Sequence, residues 1–218
     1  MNSVEILSDP ICPWCFIGKT QLDKALAARP GHGLNVTWHP FMLNPDMPAE
    51  GMERRAYLEA KFGGKQGAYD AYKPIMERAK ELGLGIEFDQ IARAPNTVDA
   101  HRLIHWAGIE GVQNAVVDAL FDAYFCKGSD ISDPDTLLGI AAAAGMNTDA
   151  TAKLLESAAD RAEVLEADAR MREAGVRGVP CFIVGRRFAV PGAQPTETWI
   201  NVIDEIRAER EKQPEGTC

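Results

Sequence analysis

Apolar residues first gather at Val4–Leu7, a run too short for a helix and of strand length. Leu22, Ala25 and Leu26 then recur at i, i+3, i+4, which predicts a helix from Pro13 to about Ala28, stopped by Arg29-Pro30-Gly31-His32-Gly33. Leu34–His39 alternates apolar and polar residues, a strand pattern that Pro40 ends. Strand, helix, strand is a crossover unit, so the two strands are expected to be parallel neighbours. From Met52 to about Ala174 the pattern is helix after helix. Breaks fall at Gly63-Gly64, Gly83-Leu84-Gly85, Pro95, Gly128-Ser129-Asp130, Pro134 and Gly145. Ser132 or Asp133 can cap a helix starting at Pro134, and Asn147 or Thr148 one running to about Ser157. Strand signals return at Cys181–Val184 and Arg187–Val190, and the two-residue turn Gly185-Arg186 between them predicts an antiparallel hairpin. A last helix from Pro195 to about Arg210 carries Trp199, Ile200, Ile203 and Ile206 on one face, and Gln213–Cys218 reads as a disordered tail.

More than a hundred residues of helical pattern between strands is too long for a loop. The expected architecture is α/β, with an all-helical domain over 52–174 inserted into a domain formed by 1–51 and 175–218.

The first strand runs directly into Ser8-Asp9-Pro10-Ile11-Cys12-Pro13-Trp14-Cys15-Phe16. Pro13 suits the first turn of a helix, where its missing N–H would be unpaired anyway. Cys12 then lies at the helix N-terminus with Cys15 one turn inside. Unpaired N–H groups and the positive end of the helix dipole favour the Cys12 thiolate, and Cys15 can close a disulfide on it. That is the arrangement of a dithiol/disulfide redox centre. Half of a structural zinc site is the bland alternative. It needs a second cysteine pair, whereas Cys126, Cys181 and Cys218 are isolated.

Charge narrows the partners. The chain has 218 residues with 23 basic against 32 acidic side chains, a formal net charge of −9, which argues against nucleic acid or an anionic membrane. The N-terminus shows no basic segment followed by an apolar one, and no apolar run approaches a membrane span. The cytoplasm is the expected compartment, where thiol pools favour the reduced pair.

Gly178-Val179-Pro180-Cys181 opens the third strand. About one X–Pro bond in twenty is cis, so base rates alone favour a trans strand-start proline. A resemblance reverses that expectation. Cys12-Pro13-Trp14-Cys15 after a first strand, a helical insertion, and Gly178-Val179-Pro180 before a hairpin resemble the DsbA-like branch of the thioredoxin superfamily. Asp9–Cys15, Pro95–Leu103 and Val190-Pro191-Gly192-Ala193-Gln194-Pro195 are similar to its FrnE-like dithiol oxidoreductases. Those are related to 2-hydroxychromene-2-carboxylate isomerases and kappa-class glutathione transferases. The resemblance covers nearly the whole chain. It implies a thioredoxin fold, a cis Val179–Pro180 bond facing the cysteines, and Cys12 and Cys15 as the catalytic pair. It further implies substrate contacts from Pro13, Trp14, Asn96, Val179, Pro180, Ala193 and Gln194. The isomerase and transferase relatives typically carry serine where this chain has Cys12, which argues for redox chemistry over isomerisation.

The expected function is thiol–disulfide exchange on a protein or small molecule. No cofactor is expected to bind tightly, and glutathione is a candidate redox partner. Two rivals stay open: a glutathione-dependent isomerase or transferase acting on a small aromatic substrate, and a non-enzymatic binding module of the same fold. Oligomeric state is not legible. His101 and His105 at i, i+4 have metal-ligand spacing, but Arg102 follows His101 where a zincin has glutamate, so packed or groove-lining histidines are expected and no metal. Asn96 or Thr97 can cap the helix that carries them. Cys181 is expected near the active site, as a buried free thiol or as a third redox thiol. Asp9 and Glu5 are candidates to hold a proton near Cys15.

Overall fold

The computed structural model describes residues 2–212, so the tail 213–218 lies outside the described residues. In chain order the elements are β1 (Ser3–Ser8), α1 (Pro13–Ala28), β2 (Asn35–Pro40), β3 (Met52–Glu53), α2 (Arg54–Phe62) and α3 (Lys65–Leu82). A 3-10 turn (Phe88–Gln90), β4 (Arg93–Ala94), α4 (Val98–Ile109), α5 (Gln113–Phe121) and a π-helical turn (Asp122–Cys126) follow. The rest is α6 (Pro134–Ala143), α7 (Thr148–Leu155), α8 (Arg161–Glu173), β5 (Cys181–Val184), β6 (Phe188–Pro191) and α9 (Thr196–Lys212).

Four strands form one sheet in the order β2-β1-β5-β6. β1 pairs parallel with β2, Val4 opposite Val36 and Ile6 opposite Trp38. β5 runs antiparallel to β1, with Ile6 opposite Phe182 and Leu7 opposite Cys181, and β6 returns antiparallel to β5. Gly185 and Arg186 both take φ of 58°, the left-handed pair that lets a two-residue turn follow the strand twist.

Strand side chains alternate between two sides. Val4, Ile6, Phe182 and Val184 face α1 and α9 and pack with Leu22, Trp199 and Ile203. Leu7 and Cys181 face the other way, onto Phe41 and Met171. The first cluster runs without a break into Leu103, Leu120, Phe121, Ile131 and Ile140 of the helical stretch. Sheet and inserted helices therefore share one core, and the insertion is not a body hung on a linker. Lys19 of α1 is buried and bridges Asp23 to Asp118 of α5, a second tie between the two parts.

Two details depart from the sequence pattern. Met52–Glu53 is not helical but pairs with Arg93–Ala94 as a two-residue ribbon at the mouth of the insertion. Gln113 occupies the open side of β2: its Oε1 accepts from the Trp38 N–H at 2.9 Å, and its Nε2 donates to the Trp38 carbonyl at 3.1 Å and the Ile104 carbonyl at 3.2 Å.

Candidate functional site: a dithiol at a helix N-terminus

β1 ends at Ser8 and the chain turns through Asp9–Ile11, the Cys12 N–H donating to the Asp9 carbonyl at 2.9 Å. Cys12 is the N-cap of α1, with extended backbone (φ −88°, ψ 113°) and Pro13 as the first helical residue. Its carbonyl accepts from the N–H groups of Cys15 and Phe16, which places Cys15 one turn on. Both are free thiols, only 3% and 1% exposed. Burial pushes the Cys15 thiol well above its ordinary range. The hydrogen bond to Cys12 and the Cys12 charge push in the same direction, against donors from Ser8 and the Asp9 backbone. Burial thus favours the neutral Cys15 thiol, and Cys12 stands at the open end of the helix.

The Cys12 Sγ points at the Val179 carbonyl, 3.6 Å away. The Val179–Pro180 peptide bond is cis. Pro180 is anchored by its carbonyl, which accepts from the Gly192 N–H at 2.8 Å. α1 approaches this segment closely: a Cβ on Gly18 would lie 3.1 Å from Pro180 Cγ and 3.2 Å from Phe182 Cζ. Glycine is what lets the helix sit there.

A cavity of about 340 Å³ opens on the thiol, lined by Cys12, Pro13, Trp14 and Val179 from the sheet side. The opposite wall comes from the insertion: Arg54, Tyr57, Leu58 and Lys61 of α2, Tyr72 and Ile75 of α3, and Tyr124 of the π-helical turn. The Arg54 guanidinium stacks 5.2 Å from the Tyr72 ring and 5.3 Å from the Phe88 ring. The helical stretch is expected from the sequence to form one wall of the groove, but none of these residues is singled out by it. The spacing Arg54, Tyr57, Leu58, Lys61 is i, i+3, i+4, i+7 and marks one helix face, but nothing in the chain said what that face meets.

Beneath the thiols lies Asp9, fully buried, its carboxylate accepting from the Leu43 N–H at 2.7 Å and the Ile11 N–H at 3.4 Å. The Thr97 side chain also reaches it. His101 Nε2 stands 3.8 Å from Asp9 Oδ1, too far for a hydrogen bond, and has no partner among the described residues. Burial lifts the Asp9 pKa to about 7 and lowers that of His101 to about 4, so at neutral pH the imidazole is neutral. Asp9 thereby clasps the cysteine turn to the chain after β2 and to α4. Glu5 instead faces outward, to Arg186 and His39.

Several expected site residues lie elsewhere. The Asn96 amide donates to the Met47 carbonyl at 2.7 Å and its oxygen accepts from Val98 N–H at 3.0 Å, so both ends are engaged and neither lines the cavity. Ala193 packs near α1, its Cα 3.4 Å from the Gly18 Cβ position, and Gln194 bonds back to the Pro191 carbonyl; neither lines the cavity. Cys181 adjoins Pro180 in sequence and is a buried free thiol, one of its two expected readings; strand alternation turns its side chain to the other face of the sheet, beside Leu7 and Phe41, which does not favour a third redox thiol. His101 is packed in the core, as its apolar helix face requires, and His105 lines a separate groove along β2. No helix among the described residues is long and apolar enough to cross a membrane.

Similarity to known proteins agrees with this geometry. A probable DsbA oxidoreductase, SCO1869 from Streptomyces coelicolor, is 31% identical and superposes with a TM-score of 0.83 over 95% of this chain and 91% of its own. At fold level only, a 2-hydroxychromene-2-carboxylate isomerase is 17% identical (TM-score 0.69, 99% and 100% covered). The cytosolic disulfide reductase DsbM from Pseudomonas aeruginosa, solved with GSH, is 21% identical (TM-score 0.65, 97% and 98% covered). Residues 3–204 match the DsbA-like thioredoxin domain, and the chain belongs to that family.

Proposed function

We propose that the protein is a thiol–disulfide oxidoreductase that works through Cys12 and Cys15. One observation carries the reading: Cys12 caps a helix N-terminus at the floor of a cavity, with Cys15 buried against it. The Cys12 thiolate attacks a substrate disulfide, forms a mixed disulfide and expels one substrate thiolate. Cys15 then loses its proton, attacks Cys12 Sγ and expels the second thiolate, leaving the Cys12–Cys15 disulfide. Dithiol oxidation runs the same steps in reverse. Pro13, Trp14 and Val179 form the near side of the substrate groove, and the Val179 backbone beside Pro180 offers a short edge for an extended substrate. Residues 52–174 supply the far wall. Glutathione is a fitting small redox partner, since a cytosolic relative in fold was solved with it.

Trapping tests this. The reduced Cys15→Ser variant should accumulate a mixed disulfide on Cys12 detectable by mass, and Cys12→Ser should accumulate none. Equal trapping by both variants would overturn the assignment. Glutathione-dependent isomerisation of a small aromatic substrate, without turnover of the dithiol, would favour the isomerase reading instead.

A further inference from the structure

The far wall of the thiol cavity has a one-sided charge. Among the described residues its two ionic side chains are Arg54 and Lys61 and no carboxylate lines it; the acid Asp9 is buried behind it, within reach of the Lys61 charge. Neither cation joins an ion pair among the described residues. This stands out on a chain whose net charge is −9. Arg54 is half-buried, stacked on Tyr72 and Phe88, and donates to the Phe88 carbonyl at 3.3 Å, which leaves most of its five N–H donors open. Lys61 Nζ donates to Asn44 Oδ1 at 3.1 Å and to the Tyr57 hydroxyl at 2.6 Å, both neutral. Two cations fixed by neutral partners beside aromatic rings make an anion subsite with an apolar floor. The volume, about 340 Å³, is at the small end of the range for small-molecule sites.

We propose that this pocket selects low-molecular-weight disulfides whose thiol halves carry a carboxylate. Arg54 and Lys61 hold the carboxylate, Trp14, Tyr57 and Tyr72 hold the body, and a sulfur is presented to Cys12. The proposal rests on the disulfide-exchange reading above. For a disulfide RSSR the balance is RSSR plus the Cys12–Cys15 dithiol giving two RSH plus the Cys12–Cys15 disulfide. The first RS⁻ leaves when Cys12 attacks and the second when Cys15 attacks.

Three disulfides of different charge test it on the reduced full chain: dithiobis(nitrobenzoate), which is anionic, dithiodipyridine, which is neutral, and cystamine, which is cationic. Rates of Cys12 oxidation are expressed as the anionic-to-neutral ratio, and each variant is compared with the unmodified protein so that intrinsic reactivity cancels. Arg54→Gln should lower that ratio about tenfold, and Lys61→Gln, on the more exposed cation, by about threefold. Arg54→Lys should restore part of it. Raising the salt concentration should lower the ratio in the unmodified protein, a readout independent of how the variants fold. Ratios that stay within about twofold in both glutamine variants and across salt, or a preference for cystamine, would overturn the proposal while leaving disulfide exchange standing. If Cys12→Ser reduces all three disulfides as fast as the unmodified protein, the exchange reading itself fails and the proposal with it.

Discussion

Asp9 and His101 together predict an unusual dependence of stability on pH. Alone, Asp9 is ionised above an ordinary value of 3.8 when unfolded but only above about 7 when folded. The folded state then holds an extra proton between those values, so stability falls as pH rises through them, by about 4 kcal/mol in all. His101 works in the opposite sense. Its pKa drops from 6.5 to about 4 on folding, so the unfolded state holds the extra proton and stability rises with pH, by about 3 kcal/mol. Between pH 4 and 6.5 the two slopes cancel. In that window, folding moves a proton from the imidazole to the carboxyl and changes the proton count by nothing. Asp9→Asn keeps a neutral, acid-like shape and removes one of the two slopes. Its urea stability should rise by about 3 kcal/mol from pH 4 to 6.5, where the unmodified protein stays nearly flat. Above pH 7 it should exceed the unmodified protein, by about 4 kcal/mol less what one weakened backbone hydrogen bond costs. His101→Gln should show the mirror image, falling as pH rises. Both belong on protein with the Cys12–Cys15 pair oxidised, so that thiol titration does not enter. Parallel pH curves for Asp9→Asn and the unmodified protein would refute the reasoning.

Other substitutions probe the frame around the site. Arg102 is buried and donates to the carbonyls of Leu154, Ser157 and Ala159 and to Asp99, so Arg102→Met should cost about 3–5 kcal/mol of unfolding free energy; a loss under about 1 kcal/mol would show that those carbonyls find water. Gly18→Val should cost about 1–3 kcal/mol by crowding Pro180 and Phe182, and it should slow oxidation of Cys12; unchanged melting and rate would mean the contact yields freely. Cys181→Ala should leave the rate of Cys12 oxidation within about twofold, since its thiol faces away from the pair, and a tenfold loss would reinstate it as a redox group.

The sheet, the crossover helix and the hairpin were legible because their signals are local. Strand alternation, the Gly185-Arg186 turn and Pro13 at a helix start each act within a few residues. The cysteine pair was legible for the same reason, because its chemistry follows from where a strand hands over to a helix. That the helical stretch forms a wall was legible too, but the residues that make the wall were not. Whether Arg54 and Lys61 face the thiols depends on how α2 and α3 dock, and docking is a property of the shared core rather than of any window of sequence. Cys181 shows the complementary limit of reading along the chain: it is the buried free thiol that one reading expected, on the other face of the sheet. Neighbourhood along the chain suggested the active site, but a strand turns successive side chains to opposite faces, so one residue past Pro180 is the far side of the sheet. Asn96 has two sequence readings, a helix cap and a substrate contact; its oxygen does accept from the Val98 N–H at the head of α4, and only the fold reveals the Met47 carbonyl that takes up its amide.

The amide of Gln113 has a consequence for how copies of this molecule meet. Outer strands of open sheets carry unpaired N–H and C=O groups, and these are templates on which another chain can add a strand. On β2 the template is filled at Trp38 by a side chain that offers one acceptor and one donor at the spacing a backbone neighbour would use. Gln113 begins α5, which is packed into the core, so the plug cannot be displaced without disturbing that packing. An incoming strand would find the middle of β2 already taken. At this edge the fold carries its own guard against edge-to-edge strand addition, made from a single uncharged side chain rather than from the lysine or proline that other edges use.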